Sequence, residues 1–482
     1  MREHAGLLAA LLVIALLFSP CLGFRFVNWD DDIHVYRNPL VVAPATTSWS
    51  EALRTPALGY PSPLTVASYR LEHWAVGLAP WLYHLDNVLL HLLVCALVYQ
   101  IAVRLALSRA GGTVAVLVFG LHPAVVEPVV WVTGRKDLLA AAGVLAGASV
   151  LLRRGETGAK RGALVALWGA LGGLAKPVAL FLPLLIVAWS RLLSRLRWTR
   201  ALVVAAPSAV VLSPLFVLAL TGQLRVGAVS RNASMAAVLR EAWYALGFHL
   251  ALVLGLRTPS AKHLVLRPPA FDPWVDLVPL AFGLVVVAAL WVLDGRRRRI
   301  ALAGLIFSAL AYLPSANLIP LVRYLADSYV YLPLAGLAWS VGAACDALGE
   351  AIRPRPRWLH LAFAGAGVVG LAVIASSSIG RVPVWRNGVT LWTDVALHAP
   401  PSPNVCRQLG NAYNELEQHD RALAQYQACA RQFDPALFRS NIGVTLFVLG
   451  RHDEARDAFR AILLDRPGDP IALKYLGLLD GR

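Results

Sequence analysis

Long apolar segments alternate with short polar loops over the first 378 residues of the chain. A helix needs about 20 apolar residues to cross a hydrocarbon core of roughly 30 Å, and most of these segments approach that length. A few are shorter, which suits helices that are shielded by neighbours or line a water-filled cavity. The pattern predicts an all-α, polytopic membrane helix bundle of about eleven spans, near residues 5–24, 84–108, 112–131, 137–152, 162–175, 178–194, 201–221, 276–293, 300–318, 330–350 and 358–378.

After about residue 378, the apolar runs give way to amphipathic segments that contain an internal repeat. Small residues where two helices touch, with large residues filling the space between, are the signature of tetratricopeptide (TPR) repeats. We therefore predict a membrane domain over residues 1–378 and a short TPR α-solenoid over residues 379–482. The repeated positions are 33 residues apart and pair Gly410 with Gly443, Ala422 with Ala455 and Tyr426 with Phe459, and Leu476-Gly477 begins a third copy.

The repeat tail is short, because two full repeats and a fragment fall below the roughly three that an independent solenoid requires. We expect the tail to pack on the membrane domain or on another copy of the chain, and to offer a concave surface to a protein partner. Cys406 and Cys429 occupy facing positions of one helix pair. A disulfide would suit an oxidising compartment, but free cysteine is among the most often buried residue types, and we expect two buried thiols here.

Composition and charge agree with membrane insertion. Hydrophobic residues make up 58% of the chain, above the roughly 45–50% of soluble domains. The formal net charge is +16, and the basic residues cluster in the short loops 153–161, 191–200, 294–299 and 353–357. By the positive-inside rule, these loops and the N-terminus face the cytoplasm and the repeat tail lies across the membrane. This distribution indicates anionic membrane lipids as a partner and argues against a nucleic-acid surface.

The same orientation gathers the remaining polar loops on the extracytoplasmic face: residues 25–83, 122–137, 222–275, 319–329 and the segment around Lys176. The apolar stretch 241–256 would break the alternation if it crossed the membrane, so we predict that it lies in the interface or re-enters. The five cysteines include no CxxC pair, and we expect neither a metal site nor a cofactor. The Arg-, Ala- and Leu-rich composition is typical of a bacterium of high genomic GC content, which favours a bacterial inner membrane.

Three consecutive aspartates, Asp30 to Asp32, follow the first apolar segment directly. Ionisable groups close to the hydrocarbon core are functional candidates by default, although solvated loop charge is the simpler alternative. Asp30 or Asp31 could act as a general base whose basicity a neighbouring carboxylate raises or whose orientation it fixes. A hard cation is a third alternative, which we rank lower because no complementary set of oxygen ligands is evident.

A second extracytoplasmic loop reads LHPAVVEPVVWVTGRKD over residues 121–137. Its Arg135 and Lys136 lie on the face where the positive-inside rule disfavours cations, so they require a local anionic partner. Arginine and lysine are the natural ligands of phosphate, which makes an anionic headgroup one candidate partner. A structural ion pair with Glu127 or with the aspartates is the alternative.

Smaller polar signals belong to the same face. His84 and His91 share one helix face with Asn87 but lie about 10 Å apart along the axis, too far to bind one metal ion. We interpret them as buried hydrogen-bonding groups near the site, with plain packing as the alternative. Lys176 interrupts two short spans and needs an anion at that depth. Arg323 and Tyr329 mix charge with aromatic side chains, a combination also typical of interfacial anchoring.

Acids, paired cations and apolar walls on one face suit the transfer of a group from a lipid-linked phosphate to an acceptor hydroxyl. The cations would hold the phosphate leaving group and an aspartate would take the proton of the acceptor. A non-catalytic membrane scaffold, whose repeats recruit partners for envelope assembly, is the alternative. A transporter of lipid-linked sugars ranks third, because polar spans are not evident on the cytoplasmic side.

Several of these segments, in this order and before TPR repeats, resemble the transmembrane and tetratricopeptide-repeat-containing O-mannosyltransferases and their prokaryotic relatives, which belong to the GT-C membrane glycosyltransferases. The segments are FVNWDD (26–31) with NP (38–39), YPSPLTVASY (60–69), YHLDNVLLH (83–91), LHPAVVEPVVWVTGRKD (121–137), Lys176-Pro177, ADSYVYLP (326–333) and WRNGVTLW (385–392).

The resemblance implies a GT-C fold and metal-independent, inverting transfer of a monosaccharide from a polyprenyl-phosphate donor to a protein or glycan hydroxyl. It also implies that Asp30 or Asp31 corresponds to the acidic motif of the family's first external loop, and that Glu127 and Arg135-Lys136 correspond to the second. Relatives carry an arginine at the position of Ser328, and Arg323 is the nearest substitute in this sequence.

Overall fold

The computed structural model describes residues 4–43, 46–55, 62–155, 158–225, 234–264, 271–319, 321 and 323–481. Residues 60–61 of the YPSPLTVASY segment and parts of loops 153–161 and 222–275 lie outside these ranges. The described chain is all-helical, as predicted, and contains no strand. Its longer helices are α1 (Ala5–Phe18), α4 (Pro63–Val76), α5 (Pro80–Arg104), α6 (Arg109–Gly120), α8 (Arg135–Leu151), α9 (Ala159–Gly173), α10 (Leu182–Leu192), α11 (Trp198–Arg225), α12 (Met235–Val253), α14 (Val278–Val292), α15 (Gly295–Tyr312), α16 (Tyr331–Ile352), α17 (Arg357–Arg381), α18 (Gly388–His398), α19 (Pro403–Glu415), α20 (His419–Gln432), α21 (Arg439–Val448), α22 (His452–Asp465) and α23 (Pro470–Leu479).

Four short helices connect these elements: α2 (Pro39–Val42), α3 (Trp49–Arg54), α7 (Val126–Val130) and α13 (Pro273–Asp276). Helix α7 places Glu127 in a bent connection, because the α6 and α7 segments meet at an angle of 58°. Pro128, inside α7, cannot donate a backbone hydrogen bond, which helps to keep this helix short.

Seven helices among the described residues are long and apolar enough to cross a membrane, and the bent α6–α7 pair would make an eighth. The chain is therefore a multi-pass membrane protein. The three segments predicted as spans near 137–152, 162–175 and 178–194 form helices of 17, 15 and 11 residues, which are short for a bilayer. Helix α12, which contains most of the apolar stretch 241–256, meets the length and composition requirements of a span. Its placement in the interface or as a re-entrant segment stays a prediction.

The chain divides into two compact units. The first comprises Met1–Phe24, Ile33–Pro259 and Val265–Pro383. Inside it, helices approach closely where both carry glycine. A Cβ atom on Gly143 of α8 would lie 2.7 Å from the Cα of Gly172 in α9, and one on Gly304 of α15 would lie 2.3 Å from the carbonyl oxygen of Gly336 in α16. Small residues at such crossings are how membrane helices bring their backbones together.

The second unit comprises Arg25–Asp32, Ser260–Leu264 and Val384–Arg482. Its helix pairs α19–α20 and α21–α22 explain the 33-residue repeat. A Cβ atom on Gly410 would lie 2.3 Å from the ring of Tyr426, and one on Gly443 would lie 2.9 Å from the ring of Phe459. Each large ring therefore fills the space that its glycine leaves, as the TPR prediction requires.

The repeat unit contains a disulfide between Cys406 and Cys429, which join α19 to α20. The expectation of two free thiols is wrong, because facing positions of the helix pair bring the two Cα atoms to 5.9 Å, within bonding range. The remaining cysteines, Cys21, Cys95 and Cys345, are free.

Replacing both bridged cysteines, as Cys406→Ser with Cys429→Ser, is expected to destabilise α19–α20 by about 3 kcal/mol, because the bridge closes a 23-residue separation. Hydrogen exchange of the full chain should show faster exchange in these helices and unchanged exchange in α5. Alkylation of unfolded wild-type protein without reductant should modify three cysteines. Five modified cysteines would contradict the bridge.

Candidate functional site

The acidic segment folds as part of the repeat unit. The Asn28 side chain donates to the carbonyl of Gln408 at 3.1 Å and accepts from the Trp392 indole at 3.0 Å. The ring of Trp29 packs edge-to-face on Trp392, with centroids 5.4 Å apart. These contacts fix the backbone immediately before the aspartates.

The three aspartates differ in conformation and exposure. Asp31 is buried, and its carboxylate accepts a hydrogen bond from the Val27 amide at 3.0 Å. Asp30 is half-buried and has a φ of 67°, in the left-handed region that few residues other than glycine adopt. Strained backbone of this kind concentrates at functional positions. The Asp31 carboxylate therefore anchors the turn, and the half-buried Asp30 stands next to it in the left-handed conformation.

In the membrane unit, Glu127 and Arg323 form a bidentate ion pair across 196 residues of sequence. The two guanidinium nitrogens lie 2.9 and 3.1 Å from the two carboxylate oxygens. The Glu127 side chain is 1% exposed and that of Arg323 is 26% exposed. The Tyr329 hydroxyl donates to the Arg323 carbonyl at 2.7 Å. Three of the predicted site residues are thereby brought together.

Two lysines complete this group. The Lys176 ammonium lies 2.5 Å from a carboxylate oxygen of Asp137 and 5.7 Å from the centroid of the Tyr329 ring. Lys136 stands 4.9 Å from the Trp131 ring, and the Arg323 guanidinium lies 6.0 Å from the same ring. We call Lys136, Lys176 and Arg323, with Trp131 and Tyr329, the cation cluster. Each of these cations lies over an aromatic face, which is a favourable electrostatic contact, and two of them are also ion-paired, Lys176 with Asp137 and Arg323 with Glu127.

Arg135 differs from its neighbour Lys136. Its side chain is fully buried, its Nε donates to Asn87 Oδ1 at 2.8 Å, and it donates to the Tyr83 carbonyl at 2.7 Å and pairs with Glu72. These contacts favour a structural role for Arg135, and its binding of donor phosphate stays a prediction. Its donors are used inside the protein, where it ties α4 and α5 to the first turn of α8. Burial raises the pKa of the Glu72 carboxyl to about 7, against the opposing effect of the Arg135 charge.

The two histidines of α5 are also structural. His91 is fully buried, its Nδ1 lies 2.8 Å from the Tyr331 hydroxyl and its Nε2 lies 3.3 Å from the Gly120 carbonyl. His84 is 2% exposed and packs edge-to-face on Phe24. Both histidines are buried, and His91 is hydrogen-bonded, as predicted. Their role in substrate binding stays a prediction. No group of three or more His, Cys, Asp or Glu side chains within the described ranges could hold a metal ion.

His34 is a residue near the cluster that sequence reasoning missed. It is 7% exposed, and its Nε2 has no hydrogen-bond partner among the described residues. Burial, with the nearby Lys136 charge, lowers the pKa of the imidazole to about 3. A lone histidine in the sequence DIHVY carries no spacing signal that marks it.

The pKa of His34 predicts that this residue makes the fold sensitive to acid. Because the unfolded chain protonates this imidazole near pH 6.5 and the folded chain does so near pH 3, the contribution of His34 to stability should fall as the pH drops through this window. The expected contribution is a loss of about 1.4 kcal/mol per pH unit. The raised pKa of Glu72 acts in the opposite direction, so the test compares variants. His34→Gln should lose less stability than the wild type between pH 7 and pH 5, as measured by denaturation in detergent micelles. An exposed control, His452→Gln, should retain the wild-type slope, and a wild-type slope in His34→Gln would contradict the assignment.

Comparison with known proteins identifies sequence relatives. No protein-family model matches the chain. Protein O-mannosyl-transferase Tmtc1 of Drosophila melanogaster is 34% identical over 145 residues, covering 28% of this chain and 17% of that protein. TMTC1 of Mus musculus is 38% identical over 157 residues, covering 29% and 16%. TMTC2 of Homo sapiens is 41% identical over 76 residues, covering 16% and 9%. Each match thus spans less than a fifth of the relative.

Solved structures give weaker likenesses. ArnT of Cupriavidus metallidurans in the apo state superposes with a TM-score of 0.46 at 17% identity, over 95% of this chain and 80% of that chain. The apo oligosaccharyltransferase of Archaeoglobus fulgidus gives 0.45 at 12% identity, over 87% and 59%. These scores are too low to establish a shared fold. In sequence, however, the chain resembles the transmembrane and tetratricopeptide-repeat-containing O-mannosyltransferases, as its motifs predict.

Proposed function

We propose that this chain is a membrane glycosyltransferase that moves a monosaccharide from a polyprenyl-phosphate donor to a hydroxyl acceptor on the extracytoplasmic face. The observation that carries the proposal is the cation cluster, in which Lys136, Lys176 and Arg323 gather around two aromatic rings. Lysine and arginine are the natural ligands of phosphate, and a donor phosphate would join the existing pairs of Lys176 with Asp137 and of Arg323 with Glu127. The named activity of the sequence relatives gives independent support.

The reaction we propose is a direct displacement with inversion. Asp30 takes the proton of the acceptor hydroxyl, whose oxygen attacks the anomeric carbon from the face opposite the phosphate. The bond between the anomeric carbon and the phosphate oxygen breaks, and its electron pair leaves with the polyprenyl phosphate. The cation cluster stabilises the charge that develops on that oxygen. Asp31 holds the turn that carries Asp30, as its hydrogen bond to Val27 indicates.

The sequence suggested that Glu127 is a catalytic residue, and we propose instead that it positions another side chain. Both carboxylate oxygens are engaged by Arg323, so Glu127 is poorly placed to exchange protons with a substrate. We assign it the positioning of Arg323 within the cluster. Lys176, held by Asp137 and stacked over Tyr329, is the second cation of this arrangement.

The acceptor in this proposal is a protein Ser/Thr hydroxyl, or alternatively a glycan, and the repeat tail binds the protein partner. The location is the bacterial inner membrane, with the N-terminus in the cytoplasm and the tail outside. Purified full chain, mixed with polyprenyl-phosphate mannose and envelope proteins, should release polyprenyl phosphate and mannosylate hydroxyl groups. Failure of transfer with every polyprenyl-phosphate hexose tested, in protein that remains folded, would favour a membrane-anchored scaffold.

A further inference from the structure

The membrane unit contains a cavity at the opposite end of the bundle from the extracytoplasmic loops assigned by charge. It has a volume of about 820 Å³ and lies between α6, α16, α17 and the first turn of α15. This volume is within the roughly 300–1,000 Å³ typical of small-molecule sites. The proposed transfer reaction uses none of its residues.

The walls of the cavity are mostly apolar, and two of the lining residues on α17 are glycines. Gly367 and Gly370 of α17 line it, and a Cβ atom on either would meet no other atom within 4 Å. No residue in the most apolar 18-residue window of α17 is buried inside the protein. Helix α17 thus stands away from α6 and α16 over this stretch, and an apolar molecule must fill the gap in a bilayer.

The depth of the cavity indicates which kind of molecule can fill it. On α17 the lining runs from Phe363 to Ile374, which is about 16 Å at 1.5 Å per residue. That length is close to half of a hydrocarbon core of roughly 30 Å. A partner transmembrane helix would cover both leaflets, whereas an acyl chain from one leaflet extends to this depth.

Two arginines and two carboxylates line the mouth of the cavity, and one of the arginines has no carboxylate partner among the described residues. Arg296 lines it, donates to the Ala106 carbonyl at 2.6 Å, and pairs with no carboxylate among the described residues. The two acids at the mouth are already engaged: Glu350 pairs with Arg297, and Asp346 accepts from the Ser108 amide at 2.7 Å at the start of α6. Arg296 also lies in the first turn of α15, where the helix dipole favours an anion.

We propose that this groove binds one anionic glycerophospholipid of the cytoplasmic leaflet, with an acyl chain along Gly367 and Gly370 and the phosphate beside Arg296. The basic loops 294–299 and 353–357 flank α15 and α17 and raise the local concentration of anionic lipid. The site is independent of the proposed transfer reaction, because it lies in the other leaflet and shares no residue with the cation cluster.

Cys345 provides a native reporter of occupancy. It lines the groove and is half-buried, whereas Cys21 and Cys95 are buried and the other two cysteines form the disulfide. The alkylation rate of Cys345 is measured by mass spectrometry on the full chain in micelles, with and without phosphatidylglycerol. At lipid about ten times its dissociation constant, alkylation should slow about tenfold. Phosphatidylcholine with the same acyl chains should protect much less.

Variants separate the acyl and headgroup contacts. Gly367→Leu with Gly370→Leu fills the groove, so phosphatidylglycerol should no longer change the alkylation rate. Gly365→Leu, on the same helix with open space around its Cβ but outside the groove, should keep the wild-type protection. Arg296→Gln should remove the preference for the anionic lipid, and Arg299→Gln, which carries the same charge change outside the lining, should keep it.

Three results would overturn the proposal. The first is the absence of lipid protection in the wild type. The second is equal protection by phosphatidylcholine that Arg296→Gln leaves unchanged. The third is stronger protection by polyprenyl phosphate than by phosphatidylglycerol, which would make the groove a binding site for prenyl chains.

Discussion

Asp30→Asn is expected to reduce the rate of sugar transfer about 10²–10⁴-fold, the usual contribution of a general base. Asparagine keeps the size of the side chain and tolerates the left-handed backbone at this position, where φ is 67°. The protein should therefore fold, insert and bind the donor as the wild type does. The loss should appear in kcat, with the KM for the donor little changed. The measurement is the release of polyprenyl phosphate by purified full chain.

Two neighbouring variants make the result specific. Asp32→Asn removes the same charge from the same run and should keep most of the activity. Asp31→Asn weakens the hydrogen bond from Val27 and should lower both the activity and the denaturation midpoint, because the turn itself loosens. Full activity in Asp30→Asn and Asp31→Asn alike would eliminate the general base and with it the proposed chemistry.

The sequence predicted best what depends on local pattern. Apolar periodicity predicted helices throughout, and the described residues contain no strand. The 33-residue spacing predicted small residues where two helices touch and large residues filling the space between, and Gly410 does lie against Tyr426. Both signals are carried by nearby residues, so a single sequence contains the information. The number of membrane spans was harder to predict from the sequence. A helix as short as α10 depends on neighbouring helices for its burial, and the local sequence does not show those neighbours.

The candidate site shows the limit of such reasoning. Adjacent cations in the sequence, Arg135 and Lys136, suggested a shared role, yet only Lys136 belongs to the cation cluster. The difference arises from Glu72, which lies 63 positions away and draws Arg135 into the interior. Glu127 and Arg323 were each recognised as candidates but were not paired, because 196 residues separate them. Spacing carries no information about pairs of this kind.

Breaking the Glu127–Arg323 pair is the second large effect that we expect. Arg323→Gln leaves a carboxylate that is 1% exposed without its partner, which should destabilise the membrane unit by about 3 kcal/mol. It also removes one cation from the leaving group, which should reduce kcat about 10²–10³-fold. Denaturation in micelles measures the first effect and single-turnover transfer measures the second.

The double variant Glu127→Gln with Arg323→Gln separates stability from chemistry. Two neutral amides can hydrogen-bond where the ion pair stood, so much of the lost stability should return while transfer stays low. Arg240→Gln is a matched control, because Arg240 forms a similar bidentate pair with Asp276, with side chains 26% and 6% exposed, outside the cation cluster. It should cost stability and leave kcat unchanged. If the double variant instead regained transfer together with stability, Arg323 would be a structural residue and the phosphate would have to be held by Lys136 and Lys176 alone.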